Sequence, residues 1–199
     1  MIDFRKYGEA TYAWIGILAV TIMVVSVMLC LMLADDWDYA KSSLCDFGIS
    51  ENKMASWLFI GACAVSGAMF IMSGFGWFLF EESKYVRNGG VMIMASGLTL
   101  IFVGLVDNSM SFHMAVAAIF AALFMIGIAL VSIQDIIDRH YLMVTGLAIV
   151  GLYSLSTIFV SVLPYSMNQV IMVGFAFFWF IVRSLKFKDL REFKETTLA

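Results

Sequence analysis

The chain has 199 residues, of which 62% are hydrophobic and only 14% charged, with a mean hydropathy of +0.95 and a formal net charge of −3. Soluble globular domains carry about one-quarter charged residues, so this composition excludes a water-soluble globule and points to a membrane protein. Apolar runs of about 20 residues, enough to cross a hydrocarbon core of roughly 30 Å, follow one another along the chain and leave no room for a separate soluble domain.

In chain order, residues 1–11 form a short polar segment and six apolar spans follow, at 12–34, 55–80, 88–106, 112–133, 141–163 and 166–185. The first run is too long for a signal-peptide core and lacks a small-residue cleavage site, so it reads as a retained helix. Arg5, Lys6, Lys84, Arg87, Arg139, Arg183, Lys186, Lys188, Arg191 and Lys194 fall on one side of this arrangement, and only Lys41 and Lys53 on the other. Positive residues stay on the cytoplasmic side, so both termini are expected inside and the first long loop outside. The expected fold is an all-α, polytopic bundle with six transmembrane helices in the cell membrane. Residues 186–199 read either as a basic amphipathic tail lying on an anionic inner leaflet or as a frayed charged end.

Small residues recur within the spans: Gly61, Ala64, Gly67 and Ala68 in the second, Gly97 and Gly104 in the third, Ala117, Ala118, Ala121 and Ala122 in the fourth. In lipid, close backbone packing replaces the hydrophobic drive between helices, and such spacing permits it. Trp14, Trp77, Trp37 and Trp57 fall near the expected interfaces, where aromatic rings anchor. The three cysteines, Cys30, Cys45 and Cys63, show no C-x-x-C spacing and read as free thiols.

The span centres hold no Lys, Arg, Asp or Glu, which argues against a charge-relay pump or a voltage sensor. No phosphate-cradling glycine loop and no basic surface for nucleic acid is present. Two histidines, one on each side, cannot build a three-histidine zinc site. What remains is a polar group on the outer side. Asp46 lies in the first outer loop, Asp107 ends the third span and His113 opens the fourth, with only Asn108 to Phe112 between the last two.

His113, Ala117 and Ala121 share one helix face, so the imidazole is expected to face the bundle. It could act as a general acid or base, hold a divalent metal with Asp46 and Asp107, or tie two loops together structurally. Ser43, Thr157 and Asn168 are candidate substrate-binding residues around an outward-facing polar cavity, with Phe, Met, Leu and Ile as its apolar walls. A serine nucleophile at Ser42 or Ser43 lacks any G-x-S-x-G elbow.

The segments Ser43-Leu44-Cys45-Asp46-Phe47-Gly48, Val103-Gly104-Leu105-Val106-Asp107 and His113-x-x-x-Ala117-x-x-Phe120 resemble a prokaryotic six-helix membrane family, domain of unknown function 998. More distantly they are similar to the Frag/DRAM/Sfk group. In that pattern the residue before the loop aspartate is usually serine and the one after it leucine. Here these positions are Cys45 and Phe47. The resemblance implies involvement with membrane lipids or lipid anchors and supplies no reaction. The expectation is thus a membrane protein handling a lipid headgroup or lipid-linked molecule at Asp46, Asp107 and His113. The alternative is a non-enzymatic accessory protein or small-solute transporter in which the same residues are structural.

Overall fold

An apolar run without internal proline folds as helix in lipid, because only a helix satisfies its backbone N–H and C=O groups within one segment. The computed structural model describes residues 8–38, 41–106, 112–138, 146, 148–151 and 165–198. Within these lie five long helices: α1 (Gly8–Leu33), α2 (Lys53–Phe80), α3 (Lys84–Leu105), α4 (His113–Ile137) and α5 (Tyr165–Leu198). Each is long and apolar enough over some stretch to cross a membrane, Met167–Lys186 being that stretch in α5. Five of the expected spans are present, with ends shifted slightly. The expected span at 141–163 lies mostly outside the described residues; of it, Gly146 and residues 148–151 are helical.

Helix starts follow ordinary capping chemistry. Asn52 Oδ1 accepts the Met54 N–H at 3.0 Å ahead of α2, and Ser83 Oγ accepts the Tyr85 N–H at 3.2 Å ahead of α3. Consecutive helices α1 to α4 pack as neighbours, and α5 returns against α1. The tightest seam is α2 on α3. A Cβ placed on Gly67 would stand 2.5 Å from the Gly97 carbonyl oxygen, and one on Gly97 would stand 2.5 Å from that of Gly67. One heptad along, Gly74 and Gly90 repeat the arrangement at 2.5 and 2.6 Å. Two reciprocal glycine pairs therefore bring the backbones into contact where any side chain would hold them apart. A Cβ on Gly104 would stand 2.8 Å from that of Cys63, whereas Gly61 has nothing within 4 Å and plays no part in the seam.

The α1–α2 contact adds polar ties: Ser66 Oγ donates to the Ala19 carbonyl at 2.9 Å and Cys30 Sγ to that of Ala55 at 3.4 Å. An aromatic wedge joins α2, α4 and α5, with Phe70 at centroid distances of 5.5 Å from Phe124 and 5.2 Å from Phe180, and Trp77 at 5.2 Å from Phe180. Polarity runs inside out relative to a soluble protein. Met28, Met32, Leu105 and Phe178 are exposed, while Ser66, Ser73, Ser96, Ser132, Asp135 and Arg183 are buried. That is the distribution expected when lipid is the solvent, since polar groups then seek the bundle interior.

Between α1 and α2 the chain forms a 3-10 helix, Leu44–Ile49. It lies against α2 and α5 at the end of the bundle where α4 begins, here the His113 end. Glu81, Asp135 and Arg183 mark the opposite, Arg183 end.

Candidate functional site

The polar stretch at the His113 end is knitted into the bundle. Asp36 accepts the Ser50 hydroxyl at 2.7 Å and the Glu51 N–H at 2.9 Å. Asn52 Nδ2 donates to the Leu33 carbonyl at 2.7 Å, Ser56 Oγ to that of Gly48 at 2.7 Å, and Trp37 Nε1 to that of Ser43 at 2.9 Å. Phe47 drives the 3-10 helix inward: it is fully buried, stacked on Trp37 at 5.2 Å and tilted against Phe59 at 6.1 Å. Leu44 N–H donates to Gln169 Oε1 on α5 at 2.9 Å, fastening the loop to the far side of the bundle.

The Ser50 and Glu51 donors hold the Asp36 carboxyl below the usual aspartate range. A lowered folded-state value means the contribution is present above the ordinary value and is lost as pH falls through the lowered one. The Glu51 amide should therefore stay protected from hydrogen exchange down through the usual aspartate range and open only below it. Asp36→Asn should leave that amide faster-exchanging at neutral pH.

Asp46, the first candidate, is half-buried and its carboxylate accepts the Ser43 N–H at 2.5 Å. It closes the first turn of its own 3-10 helix, and Ser43, itself buried, is the residue it caps. Neither lines the cavities described below. Asp107 and Thr157 lie outside the described residues. Asn168 is half-buried on α5, where its neighbour Gln169 takes the pocket position. Among the described residues no group of three or more His, Cys, Asp or Glu could hold a metal ion, and the expected set of Asp46, Asp107 and His113 includes one residue beyond them.

His113 is 1% exposed and faces the bundle, as its alignment with Ala117 and Ala121 implies. Its Nδ1 lies 3.0 Å from the Val106 carbonyl oxygen. A carbonyl only accepts, so Nδ1 carries a proton and donates it; in the neutral ring Nε2 then holds the lone pair. Nε2 is buried and, among the described residues, has no hydrogen-bond partner. A polar atom left unpaired in the interior costs about 1–3 kcal/mol, a cost that a ligand donating to it would relieve.

Two cavities meet here. One, of about 230 Å³, is lined by His113, Cys45, Gly48, Ile49, Ile60 and the α3 end from Val103 to Val106. The second, of about 220 Å³, is almost wholly apolar, with Met23, Phe59, Ala117, Ala121, Phe124, Met172 and Phe177 among its walls and Gln169 as a polar rim. Cys45 and Val103 line both. Residue 45, where the serine of the resembled pattern is replaced, is thus the polar-chain residue of the loop at the junction. Asp46, the next residue, is the one that the 3-10 turn uses as its cap, a choice between neighbours that the sequence does not reveal.

The Arg183 end holds a second polar group that sequence reading passed over. Arg183, 6% exposed, pairs with Glu81 at 3.1 Å and stands 4.0 Å from Asp135, which in turn takes Lys186 at 2.9 Å. Burial raises the Glu81 carboxyl above its ordinary range, with Arg183 beside it pulling the other way. These charges sit at the ends of predicted spans, where they read as topology markers. The available signal was two acidic residues, Glu81 and Asp135, on the side where cations dominate.

No curated protein and no solved structure matches the chain. Residues 12–185 match the model of a family described as "Protein of unknown function (DUF998)".

Proposed function

The chain belongs to the DUF998 family, whose description assigns no activity, and from the geometry of its His113 end we propose that it is a membrane protein that binds a lipid or lipid-linked molecule. The acyl chain occupies the apolar cavity between α4 and α5, and the polar head or linkage occupies the His113 cavity. The observation that carries this reading is the junction: an apolar cavity and a polar one share Cys45 and Val103 as lining residues, and the polar one holds an imidazole nitrogen with no partner among the described residues. Apolar walls with a few placed polar groups are the usual make-up of a ligand site.

In this reading the chain spans the cell membrane six times with both termini in the cytoplasm. Lys84, Arg87, Arg183 and Lys186 lie at the Arg183 end and Lys41 and Lys53 at the other, which supports an inward Arg183 end and a His113 end open to the outer leaflet. Asp46 shapes the loop and His113 serves the ligand.

Mass spectrometry of the protein released from detergent or nanodiscs tests this: wild type should carry one co-purifying lipid. Ala121→Trp fills the apolar cavity and should reduce that occupancy about tenfold to a hundredfold, the equivalent of an overpacking cost of about 1–3 kcal/mol. Ile119→Trp, on the exposed face of the same helix, should leave it unchanged. Equal lipid retention by both variants would remove the apolar cavity from the account.

A further inference from the structure

The residue at the junction of the two cavities is a thiol. Cys45 is half-buried at the start of the 3-10 helix and lines both the apolar cavity and the His113 cavity. A ligand whose chain lies in the first and whose head lies in the second passes its linkage across this sulfur. Independently, His113, 1% exposed, offers an Nε2 that has no partner among the described residues, with its tautomer set by the Nδ1 bond to Val106. Nucleophile, base and orienting carbonyl are the elements of a thiol acyl-transfer centre.

We infer that Cys45 and His113 form an acyl-transfer pair acting on the carboxylic ester of a membrane glycerolipid; this deepens the lipid-site reading and rests on it. His113 Nε2 accepts the Cys45 S–H proton as the sulfur electron pair attacks the acyl carbonyl carbon. The C–S bond forms and the carbonyl π pair moves onto oxygen. When that pair returns, the ester C–O bond breaks, and the leaving alcohol oxygen takes the proton from Nε2. The products are S-acyl-Cys45 and a lysolipid. In the second half, water or the hydroxyl of an acceptor gives its proton to Nε2 and attacks the thioester. The C–S bond breaks, the sulfur recovers the proton from Nε2, and the free thiol returns.

The surroundings fit these roles. Burial, with the charge of Asp46 adding to it, pushes the Cys45 thiol up to about 11. The sulfur is therefore protonated at neutral pH and needs a base at hand. Cys45 and His113 line one cavity without a hydrogen bond between them, and a base and nucleophile of this kind tighten onto each other in a bound complex. The other two cysteines do not line these cavities: Cys63 packs beneath Gly104, and Cys30 is bonded to the Ala55 carbonyl.

The test uses full-length protein in detergent, mixed with vesicles of phosphatidylglycerol and phosphatidylethanolamine bearing a labelled acyl chain. Acid-quenched samples are read by intact mass, peptide mapping and lysolipid release, with bound lipid measured in parallel. Wild type should gain one acyl mass, removable by neutral hydroxylamine and mapped to Cys45, and should release lysolipid. Cys45→Ala should lose both signals, Cys63→Ala should keep both, and His113→Gln should slow them about a hundredfold or more. All variants are compared at matched helix content and monodispersity. Bound lipid with neither adduct nor lysolipid overturns the acyl-transfer inference and leaves the lipid site standing. No bound lipid and no product overturns both. Undiminished lysolipid release in Cys45→Ala, or wild-type rates in His113→Gln, removes the pair.

Discussion

Replacing Asp135 by alanine should lower the unfolding free energy by about 3–5 kcal/mol, the usual cost of leaving a buried ion pair with one member missing. Arg183 and Lys186 both lean on this carboxylate, at 4.0 and 2.9 Å, and the side chains of Asp135 and Arg183 are 3% and 6% exposed. Lys186, at 16%, has a flexible stem that can carry its charge outward. Arg183 cannot follow, because it lies among the buried residues of α5 and already has Nε and Nη1 without hydrogen-bond partners. Among the described residues its charge then has Glu81 alone.

Exchanging both members tests this directly. Asp135→Leu with Arg183→Met should recover most of the loss, because two apolar side chains of similar volume remove the desolvation cost along with the attraction. With Arg183 gone, burial raises the Glu81 carboxyl against less opposition, from Lys186. Thermal or denaturant unfolding of wild type, Asp135→Leu, Arg183→Met and the double variant in the same detergent gives the coupling energy, and additive losses would mean that the pair does not act as a unit.

The second large effect is expected at the α2–α3 seam. Gly67→Ala should cost about 1–3 kcal/mol, although alanine is the better helix former. The added methyl would stand 2.5 Å from the Gly97 carbonyl oxygen and close to Ile101, and backbone cannot rotate out of the way as a side chain can. The helices would have to part, and the Gly74–Gly90 pair one heptad on would be pulled with them. Gly61→Ala is the matched control: nothing lies within 4 Å of that position. It should be neutral or gain up to about 1 kcal/mol from helix propensity. Equal behaviour of the two variants would show that the seam does not depend on backbone contact.

These two cases also mark what the sequence reveals. Span positions were legible because hydropathy over some 20 residues is a property of each segment alone. The inward face of His113 was legible for the same reason, since a stripe at positions 113, 117 and 121 is local to one helix. Gly67, Gly97 and Gly104 were readable as packing positions, but Gly61 looked identical to them; only the neighbouring helix tells them apart. The Glu81–Arg183 bond joins residues 102 positions apart, and no local pattern announces it.

The loop shows the same limit more sharply. Ser43 to Asn52 looked like the place for chemistry, and Asp46 its agent, because a carboxylate in a greasy chain stands out. Asp46 closes a turn, Asp36 holds the next residues, and Phe47 is the hydrophobic wedge that seats the whole segment. The quiet residue between Leu44 and Asp46 is the one that reaches both cavities. Side chains point in three directions around a 3-10 turn, and which one faces inward is decided by the helices that receive it.

Whether the two cavities form one lipid site is read most directly from a structure of the protein in nanodiscs containing phospholipid with brominated acyl chains. Bromine signal is expected within the bundle, among Phe124, Met172 and Phe177, with the lipid head adjoining Cys45 and His113. Bromine confined to the annulus around the exposed faces of the helices, with the interior cavity free of it, would contradict a single lipid site.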